Sequence, residues 1–212
     1  MRYERKYKID HLSKYAVEQA VKLHPAGFRK IFPNRQVNNI YFDTADYQTG
    51  LQNIEGVNQR KKYRLRWYGQ DLQQIDKPRF ETKIKHNELG TKQIIQFEST
   101  QLANLAAITE AVNQQAQNRH LLLYPSLLNT YQRSYFGTAN GKFRMTVDWD
   151  LHFYPLLHKT AFSQYPQSQE SVILELKYEE SEDNNAKDIF NYLPFRQTKN
   201  SKYVTGILIG NR

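Results

Sequence analysis

At 212 residues, with 39% hydrophobic side chains, 15 Tyr and 11 Phe, the chain is long enough to bury a core and too aromatic to be disordered. Thirty Lys plus Arg against 21 Asp plus Glu give a formal charge of +9, an excess that attracts polyanions: nucleic acid, acidic membrane, nucleotide or condensed phosphate. The lack of cysteine excludes disulfides, thiolate nucleophiles and cysteine zinc sites.

No apolar run approaches the roughly 20 residues of a membrane helix, and no signal-peptide core opens the chain. The expectation is one cytoplasmic domain over residues 1–212, without membrane insertion. The first segment, RYERKYKI, alternates Arg2, Glu4, Lys6 and Lys8 with Tyr3, Arg5, Tyr7 and Ile9, the period of a strand. Asp10 reads as the N-cap of a helix through DHLSKYAVEQAVKL, which ends before Pro25 and Gly27. VNNIYFDT (37–44) is extended again, and ADYQTGL is a short helix or turn. The next strand, 59–68, sets Arg64 and Arg66 on one face and Tyr63, Leu65 and Trp67 on the other.

RFETKIKH, from Arg79 to His86, places Glu81, Lys83 and Lys85 on a single face. GTKQIIQFE is a short strand or loop, and STQLANLAAITEAVNQQA is a helix capped by Ser99 or Thr100, with a Gln-rich tail at 113–118. Two strands, 127–136 and 141–154, flank the turn GTANG and predict an antiparallel hairpin. In its second arm Arg144, Thr146, Asp148 and Asp150 oppose Phe143, Met145, Val147 and Trp149. PQSQES is a polar loop, VILELKYEE a strand with Glu175 and Lys177 opposite Leu174 and Leu176, and NNAKDIFNYL a last helix before TKNSKYVTGI.

These elements predict an α+β chain: an antiparallel sheet of about eight strands closed into a β-barrel, with helices packed outside. With the apolar faces turned outward, the second faces line an interior. They carry Arg2, Glu4, Lys6, Arg64, Arg66, Glu81, Lys83, Lys85, Arg133, Arg144, Asp148, Glu175 and Lys177. Enclosing so many cations costs several kcal/mol per uncompensated ion, so carboxylates, water or a bound anion must neutralise them. A phosphate chain suits forked guanidinium groups and point-charge lysines. The glutamates would repel it unless a divalent cation, Mg²⁺ or Mn²⁺, bridged the two.

Plainer readings stand beside these. Glu81 with Lys83, and Glu175 with Lys177, also suit cross-strand ion pairs with no ligand. Asp148 and Asp150 suit pairing with the arginines, capping a strand end or touching a metal. The six histidines lack zinc-site spacing, and no P-loop or glycine-rich dinucleotide motif occurs, so phosphate would be held by side chains.

The ordered set RYERKYKI, NNIYFDT, KYRLRWYG, FETKIK, NTYQRSYF, FRMTVDWDL, ILELKY and SKYVTGI, from about residue 2 to 207, resembles the VTC domain. That domain is the polyphosphate polymerase module of the triphosphate tunnel metalloenzyme, or CYTH-like, superfamily. The resemblance implies a basic tunnel of eight antiparallel strands holding a triphosphate or polyphosphate chain. It implies catalytic roles for Lys6, Arg64, Arg66 and Lys202, and substrate contacts for Lys83, Arg133, Arg144, Arg2 and Lys177. Glu175 matches a metal-binding glutamate; Glu4 and Glu81 would support the metal or position the basic side chains.

In hydrolytic members of the superfamily the first strand shows E-x-E-x-K, whereas here Arg2 replaces the first glutamate. That departure favours the polymerase branch and thins the metal site. The expected reaction is transfer of the ATP γ-phosphoryl group to a growing polyphosphate chain. The alternatives are hydrolysis of inorganic or organic triphosphate, and non-catalytic polyphosphate binding. ATP and polyphosphate are the expected partners, nucleic acid is not, and a separate membrane protein would receive any exported product.

Overall fold

The alternation in the sequence becomes a sheet that closes on itself. The computed structural model describes residues 2–87, 89–116, 121–156 and 166–210; residues 117 and 118 of the Gln-rich tail, and residues 1, 211 and 212 of the expected span, lie outside these. In chain order the elements are β1 (Arg2–Ile9), α1 (Lys14–Lys22), β2 (Arg29–Asp43), α2 (Gln48–Glu55), β3 (Gln59–Tyr68), β4 (Gln74–Ile75), β5 (Arg79–His86) and β6 (Leu89–Gln96). Then follow β7 (Thr100–Gln101), α3 (Leu105–Gln115), β8 (Tyr124–Gly137), β9 (Phe143–Pro155), β10 (Gln167–Gln169), β11 (Val172–Glu179), α4 (Asp183–Phe190) and α5 (Lys202–Gly210). The strand order β9-β11-β1-β6-β5-β3-β2-β8 returns to β9 through the β8–β9 hairpin, giving a ring of eight antiparallel strands.

One junction of the ring is thin. Among the described residues β1 meets β6 at a single bridge, Arg2 with Gly90. Farther along β1, the Lys6 carbonyl accepts from Thr198 N (2.8 Å) and Lys8 N donates to Thr198 Oγ1 (2.9 Å). The segment between α4 and α5 therefore satisfies backbone groups that β6 does not reach.

Outward-facing apolar residues make two clusters. Tyr7, Met145, Val147, Leu174 and Leu176 pack against Val17 and Val21 of α1 and Ala186 and Ile189 of α4. Ile40, Tyr63, Leu65, Trp67, Phe80 and Leu128 pack against Ile108 and Val112 of α3. Each large apolar side chain buried there contributes about 1.5–3 kcal/mol, so the sheet turns this face outward and leaves the other to the lumen.

The helices are not all outside. Val37, Tyr41, Leu127, Tyr131, Leu151, Phe153 and Ile173 form a third cluster with Tyr203 and Ile207 of α5, which fills one end of the lumen. KYVTGILIG is apolar along most of its length and buries Tyr203, Gly206 and Ile207 against the lumen wall while Leu208 stays exposed. Asp43 fixes it: its carboxylate accepts from the backbone N–H of Thr44, Thr49 and Gly50, each at 2.8 Å, and from the Tyr203 hydroxyl.

The change from charged to apolar lining depends on a bulge. Gln132 pairs with Trp149 but Thr130 with His152, so β9 carries an extra residue there, and Asp150 adopts φ 56°. Alternation resumes one residue out of step. Leu151 and Phe153 then occupy the face that Thr146 and Asp148 hold earlier, while Asp150 turns outward to His152 Nε2 (2.9 Å). The expected four-residue face ending at Asp150 is thus corrected to Arg144, Thr146 and Asp148.

Other boundaries differ for local reasons. Ser13, not Asp10, caps α1 through Oγ accepting from Ala16 N; Asp10 binds Lys8 (3.0 Å) and Ser171 (2.6 Å). Thr100 and Gln101 pair with β4 instead of capping a helix, which starts at Leu105, and Ser99 donates to Asp76. The PQSQES loop contributes β10 to β9. β2 starts at Arg29, well before the expected residue 37.

Candidate functional site

Strand parity brings the charged residues to one surface, and pairing register decides which meet. At the centre is a buried network. Arg133 donates through Nε to Asp148 Oδ1 (2.5 Å) and through an Nη to Oδ2 (2.6 Å), a two-pronged bond, and Lys202 reaches the same Oδ2 at 2.5 Å. Lys202 and Arg133 also approach Glu175, at 3.5 and 3.6 Å. Lys177, two residues along β11, lies 3.0 Å from Glu175, and Lys6, its cross-strand partner on β1, lies 3.4 Å away.

Next along the lumen, Lys83 pairs with Glu4 at 2.6 Å. Arg64 donates to Glu81 Oε2 (2.7 Å from Nε), while Lys92 holds Oε1 at 3.3 Å. Arg66 donates to Asn39 Oδ1 (2.8 Å) and to the Tyr131 hydroxyl (3.2 Å). Lys6, Arg64, Arg66, Lys83, Arg133, Lys177, Lys202, Glu4, Glu81 and Glu175 thus share one lining. Arg2 stands apart, exposed and bonded to Glu179 (2.6 Å), and Arg144 is exposed near the β9 rim with no ion pair among the described residues.

The network sets protonation states. Burial alone would raise the Asp148 and Glu175 carboxyls, but Arg133 and Lys202 around the first, and Lys177, Lys6, Lys202 and Arg133 around the second, hold both below the usual range. Burial likewise opposes ionisation of Glu4 and Glu81, and Lys83 and Arg64 respectively outweigh it. Lys202 loses stability as a cation through burial, yet Asp148 and Glu175 push its pKa above the ordinary lysine value. Every lumen carboxylate named here is therefore ionised and already matched to a cation.

Two lysines behave differently. Burial, only partly offset by Glu4, brings Lys83 down to about 8. Burial and then the cations Lys6, Lys83, Arg60 and Lys85 hold Lys62 well below the ordinary value. Lys62 donates to Ser201 Oγ at 2.8 Å and has no carboxylate partner among the described residues. Sequence reasoning passed over it, although it shares the parity of Arg64 and Arg66. It also passed over Ser201, whose coil carries no periodic signal, and gave no role to Thr146, a buried hydroxyl opposite Glu175 with no hydrogen-bond partner among the described residues.

Among the described residues no three His, Asp or Glu side chains gather as a metal nest. Glu4 and Glu175 lie diagonally on β1 and β11, since Glu4 pairs with Lys177 and Lys6 with Glu175. Two hard carboxylates on the lumen wall are the ligand type of a Mg²⁺-type ion that takes its remaining ligands from phosphate and water. Such an ion would have to displace the cations that face Glu175: Lys6 and Lys202 at Oε1, Lys177 and Arg133 at Oε2. Both oxygens of Glu81 are engaged by cations, which suits it to hold Arg64 in place.

The family model described as VTC domain matches residues 1–210. No curated protein matches the chain. Among solved structures, an adenylyl cyclase-like protein from Hippeastrum, described as having a dominant triphosphatase activity, superposes with TM-score 0.55 at 13% identity over 99% of this chain and 96% of that one. An adenylate cyclase candidate from Vibrio parahaemolyticus gives 0.53 at 14% over 96% and 97%, and a protein from Pyrococcus horikoshii 0.54 at 10% over 98% and 96%. At such identities the likeness is one of fold.

Proposed function

The chain belongs to the VTC domain family, and from that premise we propose that it is a metal-dependent polyphosphate polymerase, transferring the γ-phosphoryl group of ATP to the end of an inorganic phosphate chain inside the ring. The observation that carries this reading is the lumen itself, where Lys6, Arg64, Arg66, Lys83, Arg133, Lys177 and Lys202 converge from five strands and α5. A terminal oxygen of the chain attacks the γ-phosphorus; the new P–O bond forms as the bond to the β-phosphate oxygen breaks, and ADP leaves with that electron pair. The attacking oxygen is already anionic, so no general base is needed, which suits a lining that holds no histidine among the described residues and no cysteine.

Catalysis is then positioning and charge stabilisation. Arg64 and Arg66 grip phosphate oxygens, with Glu81 and Asn39 holding their guanidinium planes. Lys6 and Lys202 flank Glu175, and Lys83, Arg133, Arg144 and Lys177 extend the track, with Arg2 at its edge. Glu175, supported by Glu4, would hold Mg²⁺ or Mn²⁺, which when bound neutralises charge on the transferring phosphate. No helix of the described residues is long and apolar enough to cross a membrane.

The rival is hydrolysis, with water in place of the chain end. The activity described for the Hippeastrum protein favours it; Arg2 in the position of the hydrolases' first glutamate disfavours it. Incubation with ATP and Mn²⁺ or Mg²⁺ decides. Acid-labile phosphate polymer supports polymerisation, and orthophosphate as the sole product overturns it.

A further inference from the structure

The charged lining changes character at the end away from α5. Two residues beyond Arg66 on β3 and Arg133 on β8 come Tyr68 and Tyr135, which keep the lumen-facing parity. β2 projects past β3 here: their pairing begins at Val37, so Arg29–Gln36 is paired with β8 alone. Register shifts between Lys30 and Phe32, and between Phe32 and Arg35, re-aim both of those side chains.

Phe32 and Tyr135 meet edge to face with centroids 5.8 Å apart. The Arg35 guanidinium carbon lies 5.4 Å from the Phe32 centroid, 5.6 Å from that of Tyr68 and 5.9 Å from that of Tyr135. Phe32 is 48% and Tyr68 37% exposed, and this group belongs to none of the three apolar clusters. Aromatic rings and a guanidinium left open to solvent at a tunnel mouth therefore serve no core.

We propose that this cluster seats the nucleobase of the nucleotide donor, with Phe32, Tyr68 and Arg35 offering stacking faces and Arg35 also facing the first phosphate. The inference rests on the nucleotide reading above. Two strand residues span roughly 6.6 Å, so the platform stands about one ribose away from Arg66 and Arg133. Stacking tolerates any base, and the site should discriminate weakly between purines while preferring a nucleotide to bare triphosphate.

The test is calorimetric binding of a nonhydrolysable ATP analogue and of inorganic tripolyphosphate, at one salt concentration, to the wild type and to Phe32→Ala/Tyr68→Ala. The analogue should weaken about tenfold and tripolyphosphate less than about twofold, with the thermal midpoint confirming that the variant folds. Phe32→Leu, which removes the ring and keeps bulk, should weaken the analogue in the same direction. Unchanged analogue affinity in the double variant, or equal weakening of both ligands, overturns the base platform and leaves the nucleotide reading standing. A wild type that takes tripolyphosphate but not the analogue overturns both.

Discussion

Asp148 shows how one residue holds the lumen together. It is fully buried between Arg133 and Lys202, and removing its charge strands two cations, a change that typically destabilises by about 3–5 kcal/mol. Asp148→Asn should lose that much in urea unfolding, while Asp150→Asn, outside the lumen, should change stability by less than about 0.5 kcal/mol. Because the Asp148 pKa is depressed below 3.8, its contribution is complete above that pH and disappears as pH falls below it through the depressed value. Glu175→Gln should abolish metal-dependent turnover and leave polyphosphate binding intact, since the lumen becomes one charge more positive; loss of binding measured by calorimetry would contradict the role given to Glu175.

Lys62 gives the opposite sign. Its pKa is held down in the free lumen, and a bound polyanion would relieve the cation crowding. A proton is then taken up on binding, and affinity falls as pH rises between the depressed value and the ordinary 10.5. Calorimetry near about pH 9 in two buffers of different ionisation heat reads this uptake. Lys62→Gln should reduce it, and equal uptake in the variant would count against the assignment.

At the scale of elements, α5 is the part that decides the shape of the lumen. A Cβ added at Gly206 would collide with Leu127 and stand 2.8 Å from Phe153 Cδ1, so Gly206→Ala should cost about 1–3 kcal/mol through overpacking, read as a lower urea midpoint. What the sequence made legible follows the same division. Strands such as 59–68 and 79–86 were readable to the residue, because strict alternation has one physical cause, a sheet with unlike faces. The bulge at Asp150 was not, since a single left-handed residue leaves the pattern of polar and apolar letters unbroken. Nor was the burial of α5, because whether an apolar helix lies under a sheet or inside it depends on what the other strands enclose. Thr100 misled for a related reason: its hydroxyl is a good cap, but pairing with Ile75 claimed its backbone first.

For the whole molecule, ring closure converts scattered charged faces into one compensated cavity. Arg64, Arg66, Lys83 and Glu175 were each identifiable from sequence as facing one side of a strand, and the resemblance to VTC domains assigned them to a common site. Their partners were not identifiable, because Lys83 with Glu4 and Lys202 with Asp148 span 79 and 54 residues of sequence. The central claim is that a phosphate chain replaces some of these internal partners. A crystal structure of the protein with bound polyphosphate tests it most directly. The account predicts phosphate oxygens inside the ring within hydrogen-bond reach of Arg64, Arg66, Lys6 and Lys83, whereas a chain bound on the outer surface, with the lumen ion pairs unchanged, would contradict it.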